Sequence, residues 1–480
     1  MQRSILPDRL TTTLSRILLL MICASISACA RLAPQGGGRT AAPVRGSPPL
    51  KLSAAGIPWP AARKILQRIQ APIFPHRRFS VIRYGAVGNG VHDDTRAISR
   101  TVSACAAAGG GEVIVPRGTY LTGAILLKSG VNLHVSRGAT LLFSGNRREY
   151  PLRLSRNQGI DLINFSPCIY ACSSSAVALT GHGVLDGRLT GRWDYENNRS
   201  WHRLERMRDT GVRIADRVFG ASHPLGAAMV EFYDCRNVLI SGIHVVNACW
   251  WQLHPTLCRN VTIRNVHTDS THGNSDGCDV DSCRDVWINH CTFFAGDDCI
   301  SLKSGRDPDK FRSPLPCRDI VITDCRFAGP WGMISCGSEE SEGVEHVFGW
   351  DLHAVQHGQF NGVRYALYAK ANSVRGGFVR DVHLGNIHGR CFVAFAHLTL
   401  VYGPHHGHNF PIFSGIHFRD IRGFSAPELL FLVGIPHDFI GPLTMTNCRF
   451  TGITHRNQIY RAPHVVLNGV WVNGRAVKSP

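Results

Sequence analysis

The sequence predicts an all-β chain wound as a parallel solenoid, and three observations carry that prediction. A short phrase recurs as Cys235-Arg-Asn-Val-Leu-Ile, Cys258-Arg-Asn-Val-Thr-Ile, Cys283-Arg-Asp-Val-Trp-Ile and Cys317-Arg-Asp-Ile-Val-Ile, at steps of 258 − 235 = 23, 283 − 258 = 25 and 317 − 283 = 34. From about residue 112 apolar residues alternate with polar ones in short runs cut by Gly and Asn, the period of strands. The 49 Gly and 25 Pro call for frequent turns and leave little room for helix.

A β-rich repeat of that length cannot bury its own apolar face, so successive turns stack around a shared core. Repeats made of strands alone favour a parallel β-helix. Weaker echoes of the phrase begin at Val379 and Phe418, and a second phrase follows as Cys291-Thr-Phe, Cys325-Arg-Phe and Cys448-Arg-Phe. Equivalent cysteines then pile up inside as small apolar residues. Seventeen Cys less Cys23 and Cys29 leave fifteen, an odd number that cannot pair fully within one chain, so free buried thiols are expected.

Residues 1–29 read as a signal peptide. Arg3, Arg9 and Arg16 precede the run "ILLLMICASISA", which is too short to span a membrane. The run ends on Ile26-Ser27-Ala28-Cys29, a lipoprotein-type box with Cys29 as the lipidated residue; ordinary cleavage after Ala28-Cys29-Ala30 is the alternative. An exported chain, in the cell envelope or secreted, follows. Residues 30–56 are a Pro/Gly-rich tether. Residues 57–111 are read as an N-terminal helical cap and the start of the β-helix. One helix begins near Pro60 with Ile65, Leu66 and Ile69 on one face; another runs from Asp94 or Thr95 to Ala108, stopped by Gly109-Gly110-Gly111. Residues 112–480 form the parallel β-helix.

Removing residues 1–29 takes out three Arg and one Asp, so the net charge of +18 falls by 2 to +16. Such a surplus attracts polyanions: an acidic polysaccharide, an anionic membrane or nucleic acid. No nucleic-acid motif accompanies the charge, and the membrane is expected to matter only through Cys29. The chain is read as a monomer.

Against this basic background Asp276, Asp279, Asp281, Asp285, Asp297 and Asp298 crowd into 23 positions of a chain with only 34 acidic residues. Since 298 − 276 = 22 is about one solenoid turn, Asp276 should lie one rung, roughly 5 Å, from the Asp297-Asp298 pair. Carboxylates so placed repel, and proteins tolerate that where shifted proton affinities are useful or a cation compensates. Two chemistries fit: inverting glycoside hydrolysis with one carboxyl kept protonated, or Ca²⁺-assisted polysaccharide elimination. Asn-Ser-Asp-Gly and Gly-Asp-Asp are also good turn sequences.

Asn274-Ser275-Asp276-Gly277 followed by Gly296-Asp297-Asp298-Cys299 resembles the paired signature of the polygalacturonases, glycoside hydrolase family 28, whose members are right-handed β-helices acting on pectin. The likeness covers residues 75 to 475 and includes "YGAVGNGVHDDTRAI" (84–98), "GHGVLDG" (181–187), "WWQLHP" (250–255), Gly337-Ser338-Glu339 and the segment opening at Lys370. It implies Asp297 as the acid protonating the leaving oxygen, Asp276 and Asp298 activating water, Asn274 positioning the site, and Lys370 binding a uronate carboxylate. It implies no cofactor and no metal, and pectic galacturonan, an acidic polysaccharide, as substrate.

Two positions depart from the family pattern. Trp331 stands where a histidine is usual, and Tyr368 where an arginine clamps a carboxylate. Tyr368 offers a hydrogen bond or a stacking face but no fixed charge. His254 is a candidate to replace the missing histidine, Arg375 to line the same cleft, and Glu339 to support the site. His405, His406 and His408 share one Gly-rich loop, read as an exposed polar loop. The sequence leaves internal and end-wise cleavage both open; the insertion 192–220, were it to wall one end of the cleft, would favour attack at chain ends. The remaining alternatives are a hydrolase of another pectic glycoside (rhamnogalacturonan or a substituted galacturonan), a Ca²⁺-dependent lyase, and a non-catalytic polysaccharide-binding β-helix.

Overall fold

A computed structural model of the chain describes residues 56–188, 198–403, 406–436 and 440–480. The segment read as a signal peptide, with Cys29, and almost all of the segment read as a tether lie outside the described residues, as do His405 and the start of the 192–220 insertion.

The chain is a right-handed parallel β-helix. Two long sheets, one of 22 strands and one of 11, are built from pairings that are almost all parallel. The repeated phrase sets the register: Arg236 pairs with Arg259, Arg259 with Arg284 and Arg284 with Arg318, which are the sequence steps of 23, 25 and 34. Its third residue turns the corner. Asn237, Asn260, Asp285, Asp319 and Asp381 all adopt left-handed φ values between 54° and 59°, a conformation Asn and Asp tolerate better than other residues with a Cβ. The echo at Phe418 is different. Phe418 pairs with Leu384 rather than with Val379, so its Asp420 turns the next corner of the coil.

Inside, the cysteines stack as expected. All fifteen described cysteines are free and all but Cys172 are buried. The Cys235 amide donates to the Cys258 sulfur at 3.4 Å and the Cys258 amide to the Cys283 sulfur at 3.2 Å. Small side chains here let Val238, Val261, Val286 and Ile320 fill the next layer at full burial.

The segment 57–111 divides in a way the cap reading did not anticipate. Helix α1 (Pro60–Arg68) is braced on the solenoid's flank at mid-length, where Ala62, Ile65, Leu66 and Ile69 pack on Trp287, Val321 and Phe348. Those three project outward from neighbouring rungs and leave an apolar ridge that only another apolar face can cover. Arg68 fixes the helix end to Asp285 at 2.6 Å and Asp319 at 3.3 Å. Helix α2 (Thr95–Ala107) does cap the core, adding Ala97, Ile98, Val102 and Cys105 to the cluster around Val113 and Val131. Helix α3 (Asn198–Asp209) belongs to the insertion, where Leu204 packs on Ile160 and Leu162 of the antiparallel hairpin Leu152–Asn157/Ile160–Phe165.

Candidate active site

The site lies along the 11-stranded sheet, where Leu253–Thr256, Cys278–Asp281, Ile300–Lys303, Gly332–Gly337 and Val363–Lys370 follow one another. Alternation sends Cys278, Val280, Ile300 and Leu302 into the core and leaves Asp279, Asp281, Ser301 and Lys303 on the other face. Cys278 pairs with Ile300, so Asp276 and Asp298, each two residues earlier, occupy equivalent places one rung apart. The Gly277 amide donates to the Asp298 carbonyl at 3.0 Å and locks that offset.

Asp276, Asp297 and Asp298 are thereby brought together, with one carboxylate oxygen from each within 4.8 Å of the others. Asp276 and Asp298 are buried at 3% and 1% exposure, and Asp297 alone is half-buried. Backbone sterics demand Gly296 just before the pair, since a Cβ there would meet the His272 carbonyl oxygen at 1.8 Å.

The three acids differ in their partners. Asp298 accepts at both oxygens: from the Gly332 amide at 2.9 Å and the Ser335 hydroxyl at 2.6 Å on Oδ1, and from Lys370 Nζ at 2.8 Å on Oδ2. Among the described residues, Asp297 accepts only the Asp298 amide, at 2.9 Å. Burial, and then the Asp298 charge, push the Asp297 carboxyl up to about 6, with Lys370 and Lys303 opposing. Asp276 is also raised, by burial and then by Asp279 and Asp297, against Lys303 at 4.0 Å.

A charged lattice backs the trio. Lys303 reaches Glu339 at 2.9 Å and Asp279 at 3.4 Å, and its ammonium lies 4.6 Å from the Trp251 ring centre. Arg306 and Arg375 approach the other Glu339 oxygen at 3.5 Å and 3.6 Å. Burial alone would raise Glu339, but Lys303, Arg375 and Arg306 outweigh it and hold the carboxyl well below the usual range. Three carboxylates within 4.8 Å could hold a cation by chemistry alone. Here Lys370 and Lys303 already supply the compensating positive charge and would repel a second one.

The other expected residues sort unevenly. Lys370 is in the site but bound to Asp298. Tyr368 packs under it, its ring centre 4.5 Å from Lys370 Nζ, and Trp331 lies parallel to Tyr368 at 6.1 Å and 9°. Arg375 and Glu339 are both buried, 3.6 Å from each other. Asn274 is half-buried in a left-handed turn at φ 58°, and among the described residues no hydrogen bond ties its side chain to the acids. His254 is sealed at 1% exposure behind Trp251, so it does not stand in for the missing histidine at the substrate face. Its ring is kept neutral by burial, then by Arg156 and Lys303. Sequence reasoning counted Asp279 in the acidic cluster without giving it a role, and passed over Lys303, Ser335 and Arg306. The 22-residue step would have found Lys303, which pairs with Asp281 as Asp298 aligns with Asp276.

Known proteins resemble this chain over most of its length. Residues 105–423 match the model of glycosyl hydrolases family 28. A probable polygalacturonase of Vitis vinifera is 27% identical over 385 residues, 77% of this chain and 73% of that protein. An exo-poly-alpha-D-galacturonosidase of Dickeya chrysanthemi is 24% identical over 56% of this chain, and the match spans only 48% of its own length. The crystal structure of a hyperthermoactive exopolygalacturonase from Thermotoga maritima superimposes with a TM-score of 0.81 at 30% identity, covering 86% of this chain and 96% of that one.

Proposed function

Since this chain belongs to the glycosyl hydrolases family 28, we propose that it hydrolyses the α-1,4-linked galacturonide bonds of pectin with inversion at the anomeric carbon. The observation that carries the reading is the asymmetry between adjacent acids: Asp297 is half-exposed and raised to about 6, whereas Asp298 is buried and held by Lys370 at 2.8 Å. Protonated Asp297 gives its proton to the glycosidic oxygen as the C1–O bond breaks. A water held by Asp276 and Asp298 attacks C1 from the opposite face and loses its proton to Asp298. Asp297 is left as a carboxylate and is reprotonated from solvent, while Asp298 gives its proton up to solvent.

Spacing and hydrogen bonding pull the stereochemical reading in opposite directions. Inverting pairs ordinarily stand roughly 6.5–9.5 Å apart to admit water, and retaining pairs about 5 Å. The nearest oxygens here, within 4.8 Å, are on the short side. Asp298, with hydrogen bonds to both oxygens, is a poor nucleophile, which supports water as the attacking group. NMR of the first-formed product decides: the inverted anomer is expected, and a retained anomer would make an acid of this trio the nucleophile.

Arg375, Arg306 and Lys370 supply positive charge for a uronate, with Trp331 and Tyr368 as an aromatic platform for the sugar face. The exchange of charge for ring at these two positions favours, as second reading, a substituted galacturonan. Reducing-end release from defined pectic oligosaccharides separates the substrates. An unsaturated, chelator-sensitive product would mean a lyase, and binding without release a non-catalytic module.

The Arg306 guanidinium, 2.9 Å from Glu205 and 4.7 Å from the Trp201 ring of α3, links the insertion to Glu339 and supports a cleft walled at one end. Attack at chain ends, giving monomer from the first minutes, is the expected product pattern. Export with Cys29 lipidated completes the reading; intact mass of the mature protein tests it.

A further inference from the structure

Away from the acidic trio, on the outer flank of the large sheet, His244 pairs in register with His267 on the next rung, and Asp269 follows two residues later on the same face. The imidazole centres are 4.4 Å apart. One ring nitrogen from each histidine and one Asp269 oxygen all lie within 4.8 Å of one another. The Nε2 atoms of His244 and His267 are both shielded from solvent and, among the described residues, neither has a hydrogen-bond partner. Buried polar atoms are nearly always paired, so two orphaned nitrogens beside one carboxylate ask for a shared partner.

We propose that His244, His267 and Asp269 form a binding site for a divalent ion of the zinc class, with water completing the coordination. Two imidazoles and one carboxylate suit Zn²⁺ and disfavour Ca²⁺ or Mg²⁺, which take oxygen ligands. Bonds of about 2.0–2.2 Å bring tetrahedral ligand atoms to roughly 3.4 Å from one another, so the three groups, now within 4.8 Å, would draw together by roughly 1.4 Å at most. Burial lowers the proton affinity of both histidines, favouring the neutral, ligating form. Asp269 is already oriented: His357 Nε2 donates to its Oδ1 at 3.1 Å, while the His357 ring lies on Phe294 at 3.7 Å. Ligating carboxylates are commonly held by such an outer hydrogen bond. His357 sits on the hairpin Gln356–His357/Phe360–Asn361, which leads into the strand carrying Tyr368 and Lys370, so the ion would tie that hairpin to the solenoid wall.

The test uses the whole protein, stripped with chelator and titrated with Zn²⁺ alone by calorimetry, with Co²⁺ absorption reporting the ligand set. One ion per chain is expected, with a rise in Tm that Mg²⁺ does not reproduce and a Co²⁺ spectrum without thiolate bands. His267→Ala should abolish that binding event. His388→Ala, in the separate Asp351, His353, His388 group, should leave it intact. Should His267→Ala fail to fold, His357→Ala is read instead and should weaken binding by about 10-fold or more. No stoichiometric Zn²⁺, or unchanged affinity in the readable variant, overturns the site.

Discussion

Lys370 Nζ lies 2.8 Å from Asp298 Oδ2, and both side chains are buried. Burial opposes the ammonium, but Asp298 and its neighbours outweigh that and raise Lys370 above its ordinary value. The lysine is therefore a permanent counter-charge to Asp298 before it is anything else. Lys370→Met should leave a buried carboxylate unpaired, costing about 3–5 kcal/mol of stability. Turnover should fall while the variant is still folded. Denaturant unfolding beside kcat checks both; a variant as stable as the parent would show the pair to be dispensable.

As the proposed acid, Asp297 should set the alkaline limb of activity. The acid must be protonated, so kcat/KM should fall as pH rises through about 6. The stability sign is the reverse of the usual carboxylate. A folded value above the unfolded one of about 3.9 gives a contribution fully present below pH 3.9 and lost as pH rises through about 6. Asp297→Asn should thus be more stable than the parent at pH 8, by about 1–2 kcal/mol after allowance for its partial exposure, and no more stable at pH 3. Thermal melts at the two pH values measure the difference.

Glu339 works the opposite way. Lys303, Arg375 and Arg306 depress it, so its contribution is present above about pH 4.3 and is lost only as pH falls below that through its depressed folded value. Glu339→Gln removes the carboxylate these cations share, leaving Lys303 with Asp279, Arg306 with Glu205 and Arg375 with Asp307, and should destabilise by about 1.5–3 kcal/mol at pH 7. Acid unfolding curves that coincide for parent and variant would contradict the assignment.

On the flank, Leu66→Ala removes a core side chain from α1 where it covers Trp287, Val321 and Phe348. A loss of about 2–5 kcal/mol is expected, with kcat/KM unchanged in the folded protein.

How much of this was legible in the sequence follows from its periods. Steps of 23, 25 and 34 are the strand registers themselves, because each Asn or Asp of the phrase turns one corner. The 22-residue offset placed Asp276 beside Asp298 for the same reason. Position around the coil was less visible. The amphipathic face of α1 says that it is buried, not which outward ridge it covers. Phe418-Arg-Asp imitates the phrase because two corners of one turn both favour a left-handed Asp. His254 looked available because strand alternation puts it on the site face; Trp251 then closes over it. Lys303 was overlooked because an isolated lysine carries no signal until its rung partner is known.

Kinetics and binding measured together on Asp297→Asn bear most directly on the account. Turnover of polygalacturonate should drop by about 10²–10⁴-fold, while the affinity for a short galacturonide stays at the parental value. A variant that keeps most of its activity would contradict Asp297 as the acid.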